Sequence, residues 1–341
     1  MEVAEKTAHL TEERQSDRST SGGVAAVVYN PIKVDLDLLK ASVAAAEQTA
    51  GWSTSLWFET SKEDAGQKVT AEALAQGADV VMAAGGDGTV RAVAEALRGS
   101  DVAIALLPSG TGNLLARNLD LTLDDLDQSV STAFIGEDRP IDVGLVEIER
   151  PDRAKEKFVF VVMAGLGLDA QMIANTDPEL KKRFGWFAYV DAIRKSLRDS
   201  KSIGIRYSID GEPNRSARVH TLLVGNCGSL PGNILLLPDA AVDDGILDIV
   251  ALRPEGLVGW VQVWVKIVWE NGVLRRSQVG RKIMGMTKEV RTLRYLKGSK
   301  LVIRLDRAEE FELDGDSFGE IVAARISVEQ HGLIVKVPAA G

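Results

Sequence analysis

Short apolar runs alternate with helix-like segments from Val24 to Pro140. The run VAAVVY is followed by LDLLKASVAAAEQTAGW, in which apolar residues recur at helical spacing. The same alternation continues through STSLWFET, VTAEALAQG, ADVVMAAGG, TVRAVAEALRG and VAIALLP. Buried parallel strands read as continuous apolar runs and are connected by helices, so this part of the chain is predicted to form a parallel sheet covered on both faces.

The pattern changes after Pro140, where short strand-like segments separated by turn residues dominate. They are IDVGLVEIE, KFVFVVMAG, SIGIRYSID, RVHTLLVGNC, ILDIVAL, KLVIRLD and ARISVEQ. Many short strands with turn signals are typical of a β-sandwich. The sequence therefore predicts an α/β domain over residues 23–140 and a β-rich domain over residues 141–337. Residues 1–22 contain no aromatic residue and are predicted to be a disordered tail.

Composition excludes several classes of function. The 341 residues carry 40 Lys and Arg against 49 Asp and Glu, and this formal net charge of −9 argues against a nucleic-acid partner. The single cysteine cannot form an intramolecular disulfide, and the three histidines do not have the spacing of zinc ligands. No apolar run reaches the ~20 residues that a transmembrane helix needs. These features predict a cytoplasmic protein.

Two glycine-rich turns follow apolar strands in the first domain. One is Gly85–Thr89 and the other is Ser109–Asn113. Glycines let the backbone approach a ligand, and the free N–H groups at a helix start attract phosphate oxygens. Ligands of parallel sheets bind beyond the carboxyl ends of the strands, so two such turns predict a polyphosphate site. The alternative is that the glycines only close the turns, with Asp87 capping a helix.

The motifs GGDGTV from Gly85 and LPSGTGNLLARNL from Leu107 resemble the diacylglycerol kinase catalytic family, which includes bacterial lipid kinases and sphingosine kinases. NAD kinases share GGDGT, and the second motif separates the two groups. Later segments are similar to the family's later motifs in the same order: AGLGLDA from Ala164, GNCGSLPGNILLLPDAAVDDGILDIV from Gly225 and LDGD from Leu313. The resemblance implies a three-layer α/β nucleotide-binding domain, a C-terminal β-sandwich domain that takes the lipid substrate, and a last strand that returns to the first domain.

The resemblance also implies ATP as phosphoryl donor, together with Mg²⁺. The positions matching the family's nucleotide site are Asn30, Pro31, Thr60, Gly85, Gly86, Asp87, Gly88, Thr89, Val90, Arg91, Gly110, Thr111 and Asn113. Asp87 is also a candidate for arranging magnesium or phosphate. Lys33 and Val34 replace the serine and glycine of the family's NPxSG motif. Lys33 is therefore either a compensating charge for phosphate or an exposed loop lysine.

Asp316 matches the acidic residue, usually a glutamate, that serves as proton acceptor in bacterial relatives. Phosphoryl transfer needs such a carboxylate near the acceptor hydroxyl, and aspartate is one methylene shorter. An Asp-Gly hairpin turn is the alternative for LDGD. The resemblance further implies a magnesium held by Asp244 and the backbone carbonyls of Ala241 and Ile246, where a turn is again the alternative.

Residues 256–272 have the pattern of an amphipathic helix with several tryptophans, and residues 273–300 hold nine Lys or Arg against one acid. A second basic segment covers residues 181–201. Tryptophans beside cations suit an anionic membrane surface, whereas packing of the tryptophans in the core is the alternative.

These features together predict an ATP-dependent lipid kinase that phosphorylates a hydroxyl of diacylglycerol or a related lipid alcohol. We expect it to be peripheral at the inner face of the membrane. Two other functions stay open: NAD kinase, and a catalytically weak regulator that binds lipid or nucleotide. The regulator is motivated by the altered NPxSG motif and by aspartate at position 316. The oligomeric state, a homodimer included, is also open.

Overall fold

The computed structural model describes residues 22–167, 202–230, 234–253 and 293–339. The described residues divide into two compact units. Unit 1 holds residues 22–140 and 333–339, and unit 2 holds the described residues between 141 and 332. The predicted N-terminal tail up to residue 21, the basic segment 181–201 and the range 256–292 lie outside the described residues. None of the described helices is long and apolar enough to cross a bilayer.

Unit 1 is built around parallel strands. They are β1 (Ala25–Tyr29), β2 (Leu56–Glu59), β3 (Val80–Gly85) and β4 (Ala103–Pro108). The helices are α1 (Leu36–Ala50), α2 (Gln67–Ala75), α3 (Asp87–Leu97), α4 (Leu114–Asn118) and α5 (Leu126–Ile135). The strands pair in parallel in the order β4–β3–β1–β2. The prediction of an α/β domain with a parallel sheet is confirmed.

Alternate residues of the strands face two helical layers. On one face, Val27 of β1 and Met82 of β3 belong to a core cluster with Val43 of α1 and Phe134 of α5. On the other face, Val28 and Val93 of α3 lie around Gly66. All five residues of β1 are buried because both faces of the strand are covered. This double burial explains why the strand reads as an unbroken apolar run.

Unit 2 is built from antiparallel strands, of which β5 begins in unit 1 and β16 ends there. The strands are β5 (Glu137–Glu149), β6 (Lys155–Phe160), β7 (Met163–Leu166), β8 (Ile203–Ile209), β9 (Arg215–Val219), β10 (Thr221–Gly225), β11 (Ser229–Leu230), β12 (Ile234–Leu235), β13 (Leu247–Leu252), β14 (Leu293–Gly298), β15 (Lys300–Leu313) and β16 (Asp316–Val337). Their inward-facing residues, including Phe160, Ile303 and Phe311, form one core cluster. The predicted sandwich-like β-domain is confirmed.

The end of β16 joins the sheet of unit 1. Val335 pairs in parallel with Ile104 of β4, and Lys336 forms an ion pair with Asp138 at 2.7 Å. Leu333 and Val335 are buried there. A strand beside β4 covers a sheet edge that would otherwise present unpaired N–H and C=O groups.

Asp142 is a fully buried carboxylate that connects three segments of unit 2. One of its oxygens accepts from the N–H of Gly245 at 2.6 Å, and the other accepts from the N–H of His331 at 2.9 Å. Its own N–H donates to the carbonyl of Val242 at 2.7 Å. A buried charge is tolerated only when hydrogen bonds compensate it. Asp142 therefore holds the turn before β13 and the bend within β16.

We expect Asp142→Ala to destabilise unit 2, because the N–H groups of Gly245 and His331 lose their buried acceptor. The loss is on the order of 3 kcal/mol, or about 6–12 °C in melting temperature. Thermal unfolding followed by circular dichroism measures it, with the exposed Asp124→Ala as the control. Equal melting temperatures for the two variants would contradict this role of Asp142.

Candidate active site

The carboxyl ends of the parallel strands lie along one edge of unit 1. Tyr29 at the end of β1 pairs with Ala84 near the end of β3. The N–H of Asn30 donates to the carbonyl of Ala84, and the N–H of Thr60 donates to the carbonyl of Tyr29, both at 2.9 Å. The structure therefore brings Asn30 and Thr60 to the same edge as the turn that follows β3.

The two glycine-rich turns are in direct contact at this edge. The N–H of Ser109 donates to the carbonyl of Gly85 at 3.1 Å. A side-chain carbon added to Gly110 would lie 2.9 Å from the Cα atom of Gly86. Such a contact is closer than real side-chain carbons make, so the approach of the two turns requires glycine at position 110.

The side chain of Asp87 connects the two turns. One carboxylate oxygen accepts from the N–H of Asn113 at 3.0 Å, and the other accepts from the N–H of Leu114 at 2.6 Å. These N–H groups lie at the start of α4, where the first N–H groups of a helix have no partner within the helix. A side chain at Gly112 would collide with the same carboxylate. The Asp87 carboxylate therefore caps the start of α4. Its own helix, α3, has Gly86 at the N-cap and so has no side-chain cap.

Asn113 and Arg117 give the second turn its shape. The Asn113 side chain accepts from the N–H of Gly110 at 3.1 Å and donates to the carbonyl of the same residue at 2.9 Å. The backbone of Asn113 is left-handed, with φ 49°. Arg117 donates through Nε to the carbonyl of Gly112 at 2.6 Å. The turn is thus held from within, and Thr111 is left exposed at its tip.

The other residues predicted to bind nucleotide lie at the start of α3 and in the loop after β1. Gly88, Thr89, Val90 and Arg91 are among the first five residues of α3, and Thr89 and Arg91 are buried. In the loop, the Asn30 side chain accepts from the N–H of Ile32 at 3.0 Å, and the N–H of Lys33 donates to the carbonyl of Asn30 at 3.0 Å. Pro31 and Lys33 are exposed, so the side chain of Lys33 lies on the surface of this loop.

In unit 2, LDGD forms the hairpin turn between β15 and β16. Leu313 pairs with Asp316, and the two residues between them are left-handed, Asp314 with φ 50° and Gly315 with φ 89°. Two left-handed central residues are the mark of a two-residue hairpin turn. The Asp-Gly hairpin turn, which was the alternative interpretation of LDGD, is therefore present. Asp316 follows this turn, and its side chain is exposed.

Asp314 is a buried carboxylate that the sequence analysis did not single out. One oxygen accepts from the N–H of Val161 at 3.0 Å, and the other accepts from the N–H groups of Val162 and Met163 at 2.9 Å each. These three donors compensate the buried charge. They also fix the hairpin that carries Asp316 against the segment between β6 and β7. An aspartate before glycine is ordinary in a turn, so the sequence contains no local signal of this contact.

Asp244 lies exposed in the turn before β13, where its side chain accepts from the N–H of Ile246 at 3.0 Å. Carboxylate and carbonyl oxygens are the donors that Mg²⁺ prefers, so Asp244 with the carbonyls of Ala241 and Ile246 suits that ion chemically. Within the described ranges, no group of three or more His, Cys, Asp or Glu side chains is arranged to hold a metal ion. The magnesium site stays a prediction.

The pKa of a second carboxylate near this turn, that of Asp248, is raised by its surroundings. Asp248 is buried and forms an ion pair with Lys297 at 3.0 Å. Burial raises the pKa of Asp248, Lys297 lowers it, and the negative charges of Asp244 and Asp239 raise it again, with a net rise. The negative charge gathered here is partly neutralised by Lys297, which belongs to the described end of the predicted basic run.

Two family models match the chain in succession. The diacylglycerol kinase catalytic domain matches residues 25–146, and the YegS C-terminal NAD kinase beta sandwich-like domain matches residues 161–330. A diacylglycerol kinase of Bacillus subtilis (strain 168) is 25% identical over 312 residues, which are 90% of this chain and 94% of that protein. A probable lipid kinase YegS-like of Pseudomonas aeruginosa (strain UCBPP-PA14) is 33% identical over 222 residues, 64% of this chain and 69% of that protein.

Solved structures share the fold. A diacylglycerol kinase from Bacillus anthracis str. Sterne aligns with TM-score 0.64 and 18% identity, covering 94% of this chain and 98% of the other. A yeast NADH kinase complexed with NADH aligns with TM-score 0.50 and 10% identity, covering 93% and 84%. The two family models and the YegS-like relative match the chain by sequence, so they show its family as well as its fold. The chain belongs to the family of diacylglycerol kinases and YegS-like lipid kinases.

Proposed function

We propose that this protein is an ATP- and Mg²⁺-dependent kinase that transfers the γ-phosphoryl group to a hydroxyl of diacylglycerol or a related lipid alcohol. The observation that carries the proposal is the pair of glycine-rich turns joined by Asp87 at the carboxyl edge of the parallel sheet. The names of its relatives support a lipid alcohol as acceptor.

The donor nucleotide lies with its phosphates against the two turns. The first N–H groups of α3 have no helical partner and point toward this edge, where they bind phosphate oxygens. Asp87 acts as a positioning residue, because it holds the second turn against the first through Asn113 and Leu114. The sequence contains no GxxxxGK(S/T) motif, so no P-loop lysine is available at these turns. Mg²⁺, when bound, would supply the neutralisation of phosphate charge.

Asp316 accepts the proton of the lipid hydroxyl as the oxygen attacks the γ-phosphorus and the bond from that phosphorus to the β–γ bridging oxygen breaks, which releases ADP. Its exposure leaves the carboxylate accessible to an incoming hydroxyl. Asp314 is a positioning residue for this step, since its three hydrogen bonds to residues 161–163 hold the turn that carries Asp316.

Asp316→Asn tests the proton acceptor. We expect activity to fall by about 10²- to 10⁴-fold, because an amide cannot take up the hydroxyl proton. Labelled ATP, Mg²⁺ and dioctanoylglycerol in mixed micelles measure the transfer. Asp316→Glu should retain most of the activity, and the exposed Glu320→Gln on the same strand serves as the matched control. Full activity in Asp316→Asn would remove Asp316 from this role.

Asp87→Asn tests the joint between the turns. The N–H groups of Asn113 and Leu114 each donate to a different oxygen of the Asp87 carboxylate. An amide has only one oxygen, so one of these hydrogen bonds is lost and we expect the free energy of unfolding to fall by about 1–3 kcal/mol. We also expect the KM for ATP to rise at least tenfold, because the turns no longer hold their spacing. Thermal unfolding and ATP titration measure the two effects, with the exposed Asp124→Asn as control. Unchanged unfolding with lost activity would assign Asp87 to metal binding alone.

The two rival functions are separated by the same assay. NAD offered as the acceptor should give no phosphorylated product. ATP binding with no turnover of any lipid alcohol would favour the regulator and contradict the kinase proposal.

We further propose reversible binding to anionic membrane surfaces. The support is the tryptophan-containing and basic sequence of residues 256–300, of which only 293–300 lie within the described residues. We expect cosedimentation with anionic liposomes at low salt and weaker binding at high salt, because screening reduces the attraction. Neutral liposomes are the control. Absent binding, or binding that is independent of salt and lipid charge, would contradict it.

A further inference from the structure

The surface of unit 2 carries a groove of about 320 Å³ that includes none of the residues proposed for phosphoryl transfer. It crosses strands β5, β16, β15 and β8, which pair in that order. Ligand pockets of proteins start at a volume of ~300 Å³, so the groove is large enough for a small organic molecule. Its charged lining residues are Lys155, Arg206, Arg304, Arg325, Glu147 and Glu149.

The registers of β8, β15 and β16 place three arginines around a small apolar floor. Arg304 of β15 lies opposite Arg206 of β8 on one side and opposite Ala323 of β16 on the other. Two residues earlier on β15, Val302 is exposed and lies opposite Arg325 of β16. Residues two apart on a strand, and residues directly opposite each other, share one face of a sheet. Val302 and Ala323 therefore form a floor between Arg206 and Arg325.

The two arginines on either side of β15 are close enough to share a ligand. Two strand spacings and a stagger of two residues separate the Cα atoms of Arg206 and Arg325 by about 12 Å. Long side chains on one face of a sheet reach diagonal neighbours across the strands. Both guanidinium groups can therefore contact one small anion above Val302.

The acidic residues of the groove lie at its β5 end and serve the cations there. Lys155 pairs with Glu147 at 3.4 Å, and Arg304 pairs with Glu149 at 3.5 Å. Glu149 is shared, because it also pairs with Arg153 at 2.6 Å. The hydrogen bond from Arg153 and the positive charges around Glu149 lower the pKa of this carboxyl. Positive charge thus exceeds negative charge even at the acidic end.

The other two cations of the groove are not neutralised in this way. Among the residues that the structure describes, Arg206 and Arg325 form no ion pair with an acidic side chain. Arg206 also lies directly opposite Arg304, and like charges in that position destabilise a sheet. The lining as a whole has four cations against two carboxylates. An anion with two negative charges would balance this excess and relieve the repulsion.

We propose that this groove binds a phosphate monoester in its doubly charged form. Such a group carries a charge of about −1.5 to −2 at neutral pH and has three strong acceptor oxygens. Guanidinium groups bind phosphate through paired hydrogen bonds. The phosphate lies between Arg206 and Arg325, and the carbon atoms beside it contact Val302 and Ala323. The ester belongs either to a soluble molecule or to a lipid head group.

Calorimetric titration at low salt, without nucleotide or Mg²⁺, tests the site. Glycerol 3-phosphate represents a soluble ester, with glycerate as its singly charged control. Vesicles containing phosphatidic acid represent a lipid ester, with pure phosphatidylcholine vesicles as their control. We expect at least one of the two esters to bind tenfold or more tightly than its control, and the one that binds identifies the source. Because no phosphoryl transfer is measured, failure of the kinase proposal leaves this result unaffected.

Variants locate the binding. Arg206→Gln and Arg325→Gln should each weaken phosphate binding at least tenfold. Arg206→Gln should also raise the melting temperature in phosphate-free buffer, because it removes the repulsion with Arg304, and a damaged fold would not have that effect. Arg215→Gln is the matched control, since Arg215 is exposed on β9, pairs with Glu212 at 3.0 Å and does not line the groove.

Three results would overturn the proposal. The first is that neither ester binds more tightly than its control. The second is phosphate binding that both Arg206→Gln and Arg325→Gln retain, which would place the anion elsewhere. The third is weaker binding together with a lower melting temperature in both variants, which would assign the loss to the fold.

Discussion

The candidate nucleotide site at the carboxyl edge of the parallel sheet depends on two hydrogen bonds. The Asp87 carboxylate accepts them from the N–H groups of Asn113 and Leu114. Two glycine-rich turns have little intrinsic shape, because glycine loses more conformational freedom on folding than any other residue. A carboxylate that accepts from both N–H groups sets the distance between the turns. The contact between Gly86 and Gly110 leaves no room for a side chain there, so the glycines and Asp87 act as one unit.

The same device recurs in unit 2. Asp314 accepts from the N–H groups of residues 161–163, and Asp142 accepts from Gly245 and His331. In each case a carboxylate shielded from water accepts hydrogen bonds from two or three backbone N–H groups. Such bonds are directional and hold loops that have no regular hydrogen-bond ladder of their own. Asp316 therefore sits on a hairpin whose position is set by its neighbour in the sequence, Asp314.

The family motifs predict more of the candidate site residues than the local sequence patterns do. GGDGTV and LPSGTGN could be placed at the ends of β3 and β4 because alternating strands and helices imply a shared carboxyl edge. The direction of Asp87 could not be foreseen, since its partners at positions 113 and 114 are far away along the chain. Asp314 was missed for the same reason. Locally it reads only as the first residue of an Asp-Gly turn.

The sequence by itself determined the two types of architecture, because burial on both faces produces apolar runs and hairpins require turn residues. It also determined the family, through motifs in a fixed order. Only the tertiary structure decided which carboxylates are buried, how the two turns meet at Gly86 and Gly110, and where Val335 adds to the sheet of unit 1 beside Ile104. These are contacts between residues distant in sequence, and packing in three dimensions selects them where local pattern does not.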